Sequence, residues 1–204
     1  VLSKPSPRSI ISPPEAAQSE GAARVTSTSP GSAYIKISEG CDHRCAFCII
    51  PQLRGRLRSR SVSSLVAEAE RLVAQGIVEI NLVSQDSTAY GRDRDDGAGL
   101  GPLMHALAAV EGVKWIRLHY AYPIGLPEGL LEAMAELPQV VSYLDMPLQH
   151  ASGPILKAMR RGVTRAGTER ILDRVRAAVP NVALRTTFIV GFPGETEADF
   201  EELV

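Results

Sequence analysis

Hydrophobic and polar positions change period repeatedly along the chain, and the changes outline its elements. Tyr34-Ile35-Lys36-Ile37-Ser38 alternates with period two and predicts a short strand. Val62, Leu65, Val66, Ala69, Leu72 and Val73 then fall at helical spacing. Ser61 or Ser63 is placed to cap the start of that helix and Gly76 to stop it. Ile77–Val83 reads as a second strand. The pattern then repeats: a helix over Leu103–Val110, a strand over Trp115–His119, a helix over Leu126–Leu137 and a strand over Val140–Met146. Helices follow at 151–161 and 165–179, a fifth strand at Val182–Val190, and a further helix from Glu195 to Val204.

Strand and helix alternate five times with short connections, which predicts an α/β fold with a parallel sheet and helices outside it. Polar segments follow the strands: the loop 38–51, Ser84–Tyr90, His119–Tyr122, Gln149–Ser152 and Gly191–Glu195. Parallel strands bring all of these to one C-terminal rim, where curled barrels place their sites. A partial TIM-like barrel is therefore expected over a doubly wound sheet, as a core domain spanning 34–204.

Residues 1–33 break the pattern, with five of the fourteen prolines, eight serines, no aromatic residue and neither period. They are expected to be a linker or disordered. With 204 residues, 45% hydrophobic and 22% charged, the chain suits one sizeable core. Its net charge of −1 gives no basic field of the kind a nucleic-acid binder carries. No apolar run reaches membrane-spanning length, so a cytoplasmic setting without a membrane partner is expected. A start at Val1 and a stop inside a helical pattern read as a fragment of a longer chain.

All three cysteines sit in Ser38-Glu39-Gly40-Cys41-Asp42-His43-Arg44-Cys45-Ala46-Phe47-Cys48-Ile49-Ile50-Pro51. An odd number of thiols crowded into one loop cannot form a disulfide framework. A structural zinc would need a fourth ligand, His43 or a distant histidine. An iron-sulfur cubane held by three thiolates would keep one iron open for a substrate. Arg54, Arg56, Arg58 and Arg60 follow on alternate positions, either a solvated run or an anion-facing loop. His105 lies in an apolar helix and reads as structural.

The spacing Cys41-x3-Cys45-x2-Cys48 resembles the signature of the radical S-adenosylmethionine (SAM) superfamily. That resemblance implies a 4Fe-4S cluster on Cys41, Cys45 and Cys48, with SAM on its open iron yielding a 5'-deoxyadenosyl radical. It also implies a partial barrel of six strand-helix units, the sixth lying past Val204. Cosubstrate contacts would come from the loops after strands two, four and five. The residues concerned are Ser84; Gln149, favoured over His150; and Gly191, Gly194 and Glu195 of the Ile189–Thr196 turn, whose backbone would approach adenine.

Lys36–Cys41, Cys48–Pro51, Arg54-Gly55, Ser59-Arg60, Pro147–His150 and Gly191–Thr196 together resemble the methylthiotransferase branch. Ser84–Gly91 and Arg117–Pro123 look like its RimO type, which modifies an aspartate of ribosomal protein uS12. The tRNA-modifying MiaB type, the alternative, usually carries Gly-Gln-Asn-Val and a Ser-Pro-His-Pro-like segment at those places. The resemblance implies an electron donor such as a flavodoxin-type protein and a second 4Fe-4S cluster in a further N-terminal domain. Three cysteines cannot bind both clusters, so the 204-residue chain is expected not to complete methylthiolation alone. A zinc-binding or inactive interaction domain is the reading of another class.

Overall fold

The computed structural model describes residues 30–204. In chain order the elements are β1 (Ser32–Lys36), β2 (Ser38–Glu39), α1 (Ile50–Arg54), β3 (Arg58–Ser59), α2 (Val62–Val73), β4 (Glu79–Val83), α3 (Leu100–Ala108), β5 (Trp115–Leu118), α4 (Glu128–Glu136), β6 (Val140–Asp145), α5 (Gly153–Ala158), α6 (Arg165–Ala178), β7 (Ala183–Arg185) and α7 (Glu197–Leu203). A single 3-10 turn at Ser87–Ala89 follows β4.

Five strands form one parallel sheet in the order β1-β4-β5-β6-β7. Sequence order and spatial order coincide, with no reversal at which a doubly wound sheet would send helices to its other face. The helices form one layer instead. α2 packs on β1, α3 on β5 and α4 on β6, and each of α2, α3, α4 and α6 neighbours the next. This is the strand-helix succession of an open barrel, as the sequence predicts.

Alternation decides which side of the sheet meets the helices. Ala33, Ile35, Ile80, Leu82, Ile116, Leu118 and Leu144 turn into the core with Leu65, Ala69, Leu72, Leu103, Met104, Leu107 and Leu130. Tyr34, Asn81, Arg117 and Tyr143 occupy the opposite, concave side. There the Arg117 guanidinium stands 4.9 Å over the Tyr143 ring and donates to Glu79 at 3.0 Å.

Helix α2 is the clearest case of local sequence fixing local structure. Ser61 Oγ accepts from Ser64 N at its start. At its end Gly76 N donates to Val73 O and Ile77 N to Leu72 O, a reciprocal pair that requires a left-handed residue between; Gly76 supplies it at φ +91°.

Four expectations change in detail. The expected fifth strand shrinks to Ala183–Arg185 plus one bridge between Phe188 and Gln149. The helix expected over 151–161 covers only Gly153–Ala158. β1 begins at Ser32, inside the expected linker, most of which lies outside the described residues. The arginine run is not an open anion-facing loop, because Arg58 and Ser59 pair antiparallel with Glu39 and Ser38. Arg60 is buried against Glu68 and Ser64, Arg54 faces Glu39, and Arg56 faces Asp42. Among the described residues no helix is long and apolar enough to cross a membrane.

Candidate functional site

The cysteine loop leaves the sheet through β2 and is fixed at both ends. Gly40 takes φ +81°, and a Cβ there would lie 2.1 Å from the Arg56 carbonyl oxygen. Only glycine fits between β2 and the strand that returns. Cys41 N donates to Gly55 O at 3.1 Å, Asp42 Oδ1 accepts from Leu57 N, and Ala46 N reaches Met159 O at 3.0 Å. The loop is thereby tied to β3 on one side and to the end of α5 on the other.

A cavity of about 310 Å³ opens above the C-terminal ends of the strands. Cys41, Cys45 and Cys48 line it from the loop. Gln85 joins from the segment after β4, Tyr120 and Tyr122 from that after β5, Pro147 and Gln149 from that after β6, and Thr187 from that after β7. Arg161, just past α5, completes the wall. The rim predicted from polar loops is therefore a physical enclosure.

Tyr122 is the hub of one wall. His43 stacks on its ring with centroids 3.7 Å apart, and the Arg161 guanidinium stands 4.1 Å from the same ring. The Tyr122 hydroxyl donates to the Arg161 carbonyl at 2.6 Å and lies 3.9 Å from Cys45 Sγ. Burial raises the Tyr122 phenol well above its ordinary value, so it remains a donor. Burial likewise pushes the Cys41 thiol up to about 11 when nothing offsets it. A metal centre would supply that offset, since thiolate is the ligating form.

His43 is not free to complete a zinc site in this geometry. Its Nε2 lies 2.8 Å from Asp86 Oδ2, and Asp86 is itself buried and held through Oδ1 by Thr88. Among the described residues no three His, Cys, Asp or Glu side chains converge closely enough to grip a single ion. With three thiols opening on a common cavity and His43 engaged by Asp86, a single zinc would lack its fourth ligand, whereas a cubane held by three thiolates would not need one. Two buried polar atoms of the wall, Gln85 Oε1 and Arg161 Nε, have no hydrogen-bond partner, as expected of a wall built to meet a polar ligand.

The expected cosubstrate residues fall in three places. Gln149 lines the cavity, held at φ +77° by its bonds to Thr187 O and Ile189 N. Ser84 is buried beneath the rim, 3.1 Å from Ser87 Oγ, and its neighbour Gln85 faces the cavity instead. Gly191 and Gly194 form an exposed turn with φ +72° and +90° and open space where a Cβ would stand. Glu195 closes that turn by accepting from Phe192 N at 2.8 Å. His150 is buried; its Nδ1 accepts from Ser152 N, so the proton sits on Nε2, which faces Glu195 at 3.4 Å without forming a good hydrogen bond. His105 is exposed, its Nδ1 beside Gly101 O.

Arg161 escapes a reading of the sequence, because Arg160-Arg161-Gly162 after a short helix looks like any solvated basic end. In the structure Arg160 adopts φ +56°. Its N–H donates to Lys157 O and that of Arg161 to Leu156 O, the same reciprocal closure that ends α2. That turn swings Arg161 inward.

Against known proteins, the profile of the radical SAM superfamily matches residues 35–204. The ribosomal protein uS12 methylthiotransferase RimO of Anaeromyxobacter sp. (strain K) is 52% identical over 197 residues, 97% of this chain and 42% of that relative. The enzyme of the same name from Flavobacterium psychrophilum is 52% identical over 180 residues, 88% of this chain and 42% of its own length. The chain thus spans about two fifths of the curated relatives it matches. Among solved structures, the radical SAM methyltransferase TsrM from Kitasatospora setae, with cobalamin and a 4Fe-4S cluster bound, superposes with a TM-score of 0.67 at 21% identity, covering 86% of this chain and 34% of that one. The cobalamin-dependent radical enzyme OxsB gives 0.66 at 18%, covering 83% and 25%. At those identities the likeness concerns the fold.

Proposed function

The chain belongs to the radical SAM superfamily, and from that premise we propose that its rim cavity is the radical-generating site of a methylthiotransferase acting on ribosomal protein uS12. The observation that carries the reading is the convergence of Cys41, Cys45 and Cys48 with Gln85, Gln149 and Arg161 on one cavity. A 4Fe-4S cluster and SAM together supply, when bound, one-electron cleavage of a sulfonium and a carbon radical able to take hydrogen from an unactivated C–H bond. An aspartate β-carbon is too weakly acidic for a general base, which makes radical abstraction the suitable chemistry.

The protein's part is to hold and shield. Cys41, Cys45 and Cys48 are assigned as ligands. Gln149 is assigned to the ribose or methionyl end of SAM. The Gly191–Gly194 turn, braced by Glu195, is assigned to the adenine. Ser84 is assigned an indirect part, bonding Ser87 and so fixing the loop that carries Gln85. Tyr120, Ala121 and Tyr122 wall the cavity against solvent. A flavodoxin-type protein is the proposed electron donor. The second, sulfur-donating cluster is assigned to sequence outside these 204 residues, whose three cysteines are all in one loop.

Anaerobic reconstitution tests the site. About four iron and four sulfide per chain are expected, all lost on replacing Cys41, Cys45 and Cys48 by Ala; one tightly bound zinc in their place would overturn the reading. The substrate is tested by carrying this segment in a full-length chain. Mass spectrometry of uS12 should show the methylthio increment, and a change confined to tRNA nucleosides would transfer the assignment to the tRNA-modifying type.

A further inference from the structure

Arg161 is 4% exposed, yet among the described residues no carboxylate pairs with it. Its Nη2 donates to Pro147 O at 2.7 Å, its Nη1 points at Cys45 Sγ from 3.7 Å, and its Nε has no partner. An isolated buried cation is expensive and is kept only where a compensating anion stands beside it. The group nearest its Nη1 that can become an anion is the Cys45 thiol. Everything about its mounting fixes the guanidinium in that direction: the left-handed turn at Arg160, the hydrogen bond from the Tyr122 hydroxyl to its carbonyl, and the Tyr122 ring beneath it.

We propose that Arg161 is a positioning residue for the metal centre, whose charge sets the reduction potential through Cys45; this rests on the cluster assignment made above. The step concerned is the transfer of one electron from an external low-potential donor, with no bond made or broken. Three thiolates around a cubane leave a net charge of about −1 before that electron arrives and about −2 after it. A fixed positive charge with an N–H aimed at a ligand sulfur favours the more negative state. Arg161 therefore raises the potential. Its rigid fork also orients Cys45 by bridging from Pro147 O, which lysine cannot do with the same geometry.

The test is a spectroelectrochemical titration of the anaerobically reconstituted chain, comparing wild type, Arg161→Gln and Arg161→Lys. Iron and sulfide content is measured on each sample, so that failure of the cluster assignment is seen separately, as wild type without iron. With iron intact, Arg161→Gln is expected to leave roughly tenfold less reduced cluster at a given potential, a fall of about 59 mV for one electron. Arg161→Lys is expected to recover most of it. Potentials unmoved in both variants, or moved equally, would overturn the proposal. So would an unmoved potential with weakened SAM binding, which would put the guanidinium on the cosubstrate instead. Should Arg161→Gln fail to hold iron, pulsed EPR of reduced wild type labelled with 15N-arginine decides, with Arg161→Lys to assign the signal. A nitrogen coupling that lysine abolishes supports the assignment, and its absence refutes it.

Discussion

Replacing Gly40 by alanine probes how the cysteine loop is held. The new Cβ would meet backbone only: Arg56 O at 2.1 Å, Arg56 C at 2.6 Å and Gly55 O at 2.7 Å. No side-chain rotation relieves such a contact, so the returning strand must move. Three costs follow. A non-glycine residue at φ +81° costs about 1–2 kcal/mol, the forced displacement about 1–3 kcal/mol, and the hydrogen bond from Cys41 N to Gly55 O about 1 kcal/mol. Together these reach about 3–6 kcal/mol, a large share of the ~5–15 kcal/mol that holds a domain folded. Gly76→Ala is the control: its φ is +91°, but nothing lies within 4 Å of the added carbon. It should cost only the backbone part. In urea unfolding followed by circular dichroism, Gly40→Ala should unfold about 1–2 M below Gly76→Ala, given a slope of about 2 kcal/mol per molar. It should also bind less iron on reconstitution. Equal midpoints and full iron content would show that the Gly40 turn does not set the loop.

Substitutions at three further positions test the scaffold. Ser61→Ala should cost about 1 kcal/mol by orphaning Ser64 N, whereas Ser61→Gly should cost a few tenths; chemical denaturation that ranks them the other way would refute the cap. Burial, offset in part by Asp145, holds His119 below its ordinary value, so the unfolded chain binds its proton at a higher pH than the folded one. The resulting stability is present above about pH 6.5 and lost as pH falls through the folded value; urea midpoints at pH 7.5 and 5.5 should diverge in wild type more than in His119→Gln, and equal slopes would refute this. Tyr90 donates from its buried hydroxyl to Arg60 O at 2.8 Å, and burial pushes its phenol up to about 12. That contribution is whole below about pH 10 and lost as pH rises through 12, so Tyr90→Phe should cost about 1 kcal/mol at pH 7 and show the shallower alkaline decline; identical alkaline slopes would contradict it.

Period and punctuation made the core legible. The α2 stripe, its Ser61 cap and its Gly76 stop depend on neighbours within four residues, and the structure reproduces them. The expected fifth strand was cut short because a strand is defined by its partner. β7 has one neighbour, β6, with which only Ala183–Arg185 keep register, and the chain then bends to bridge Gln149. Alternation in Arg54–Arg60 was visible, but its partners were not, since Glu39, Asp42 and Glu68 come from three different segments. The spacing of Cys41, Cys45 and Cys48 made them candidate metal ligands from sequence. Gln85 and Tyr122 were marked only as members of rim loops and Arg161 not at all, because their part in the cavity depends on where the segments after β4, β5 and α5 meet in space.

Backbone strain tells the cavity apart from a packing gap. Four described residues other than glycine hold positive φ: Tyr120, Gln149, Arg160 and Asn181. Asn181 needs no special cause, since a short polar side chain tolerates that region. Of the other three, Tyr120 and Gln149 line the cavity and Arg160 aims Arg161 into it. Each such residue costs about 1–3 kcal/mol and persists only where its surroundings over-determine it. The bonds of Gln149 to Thr187 and Ile189, and the reciprocal closure around Arg160, are that over-determination. A fold that merely enclosed space would have no reason to concentrate strain in the segments after β5, β6 and α5. These are the segments that share a cavity with the three thiols, so the strain falls where the proposed centre would need polar groups already in place.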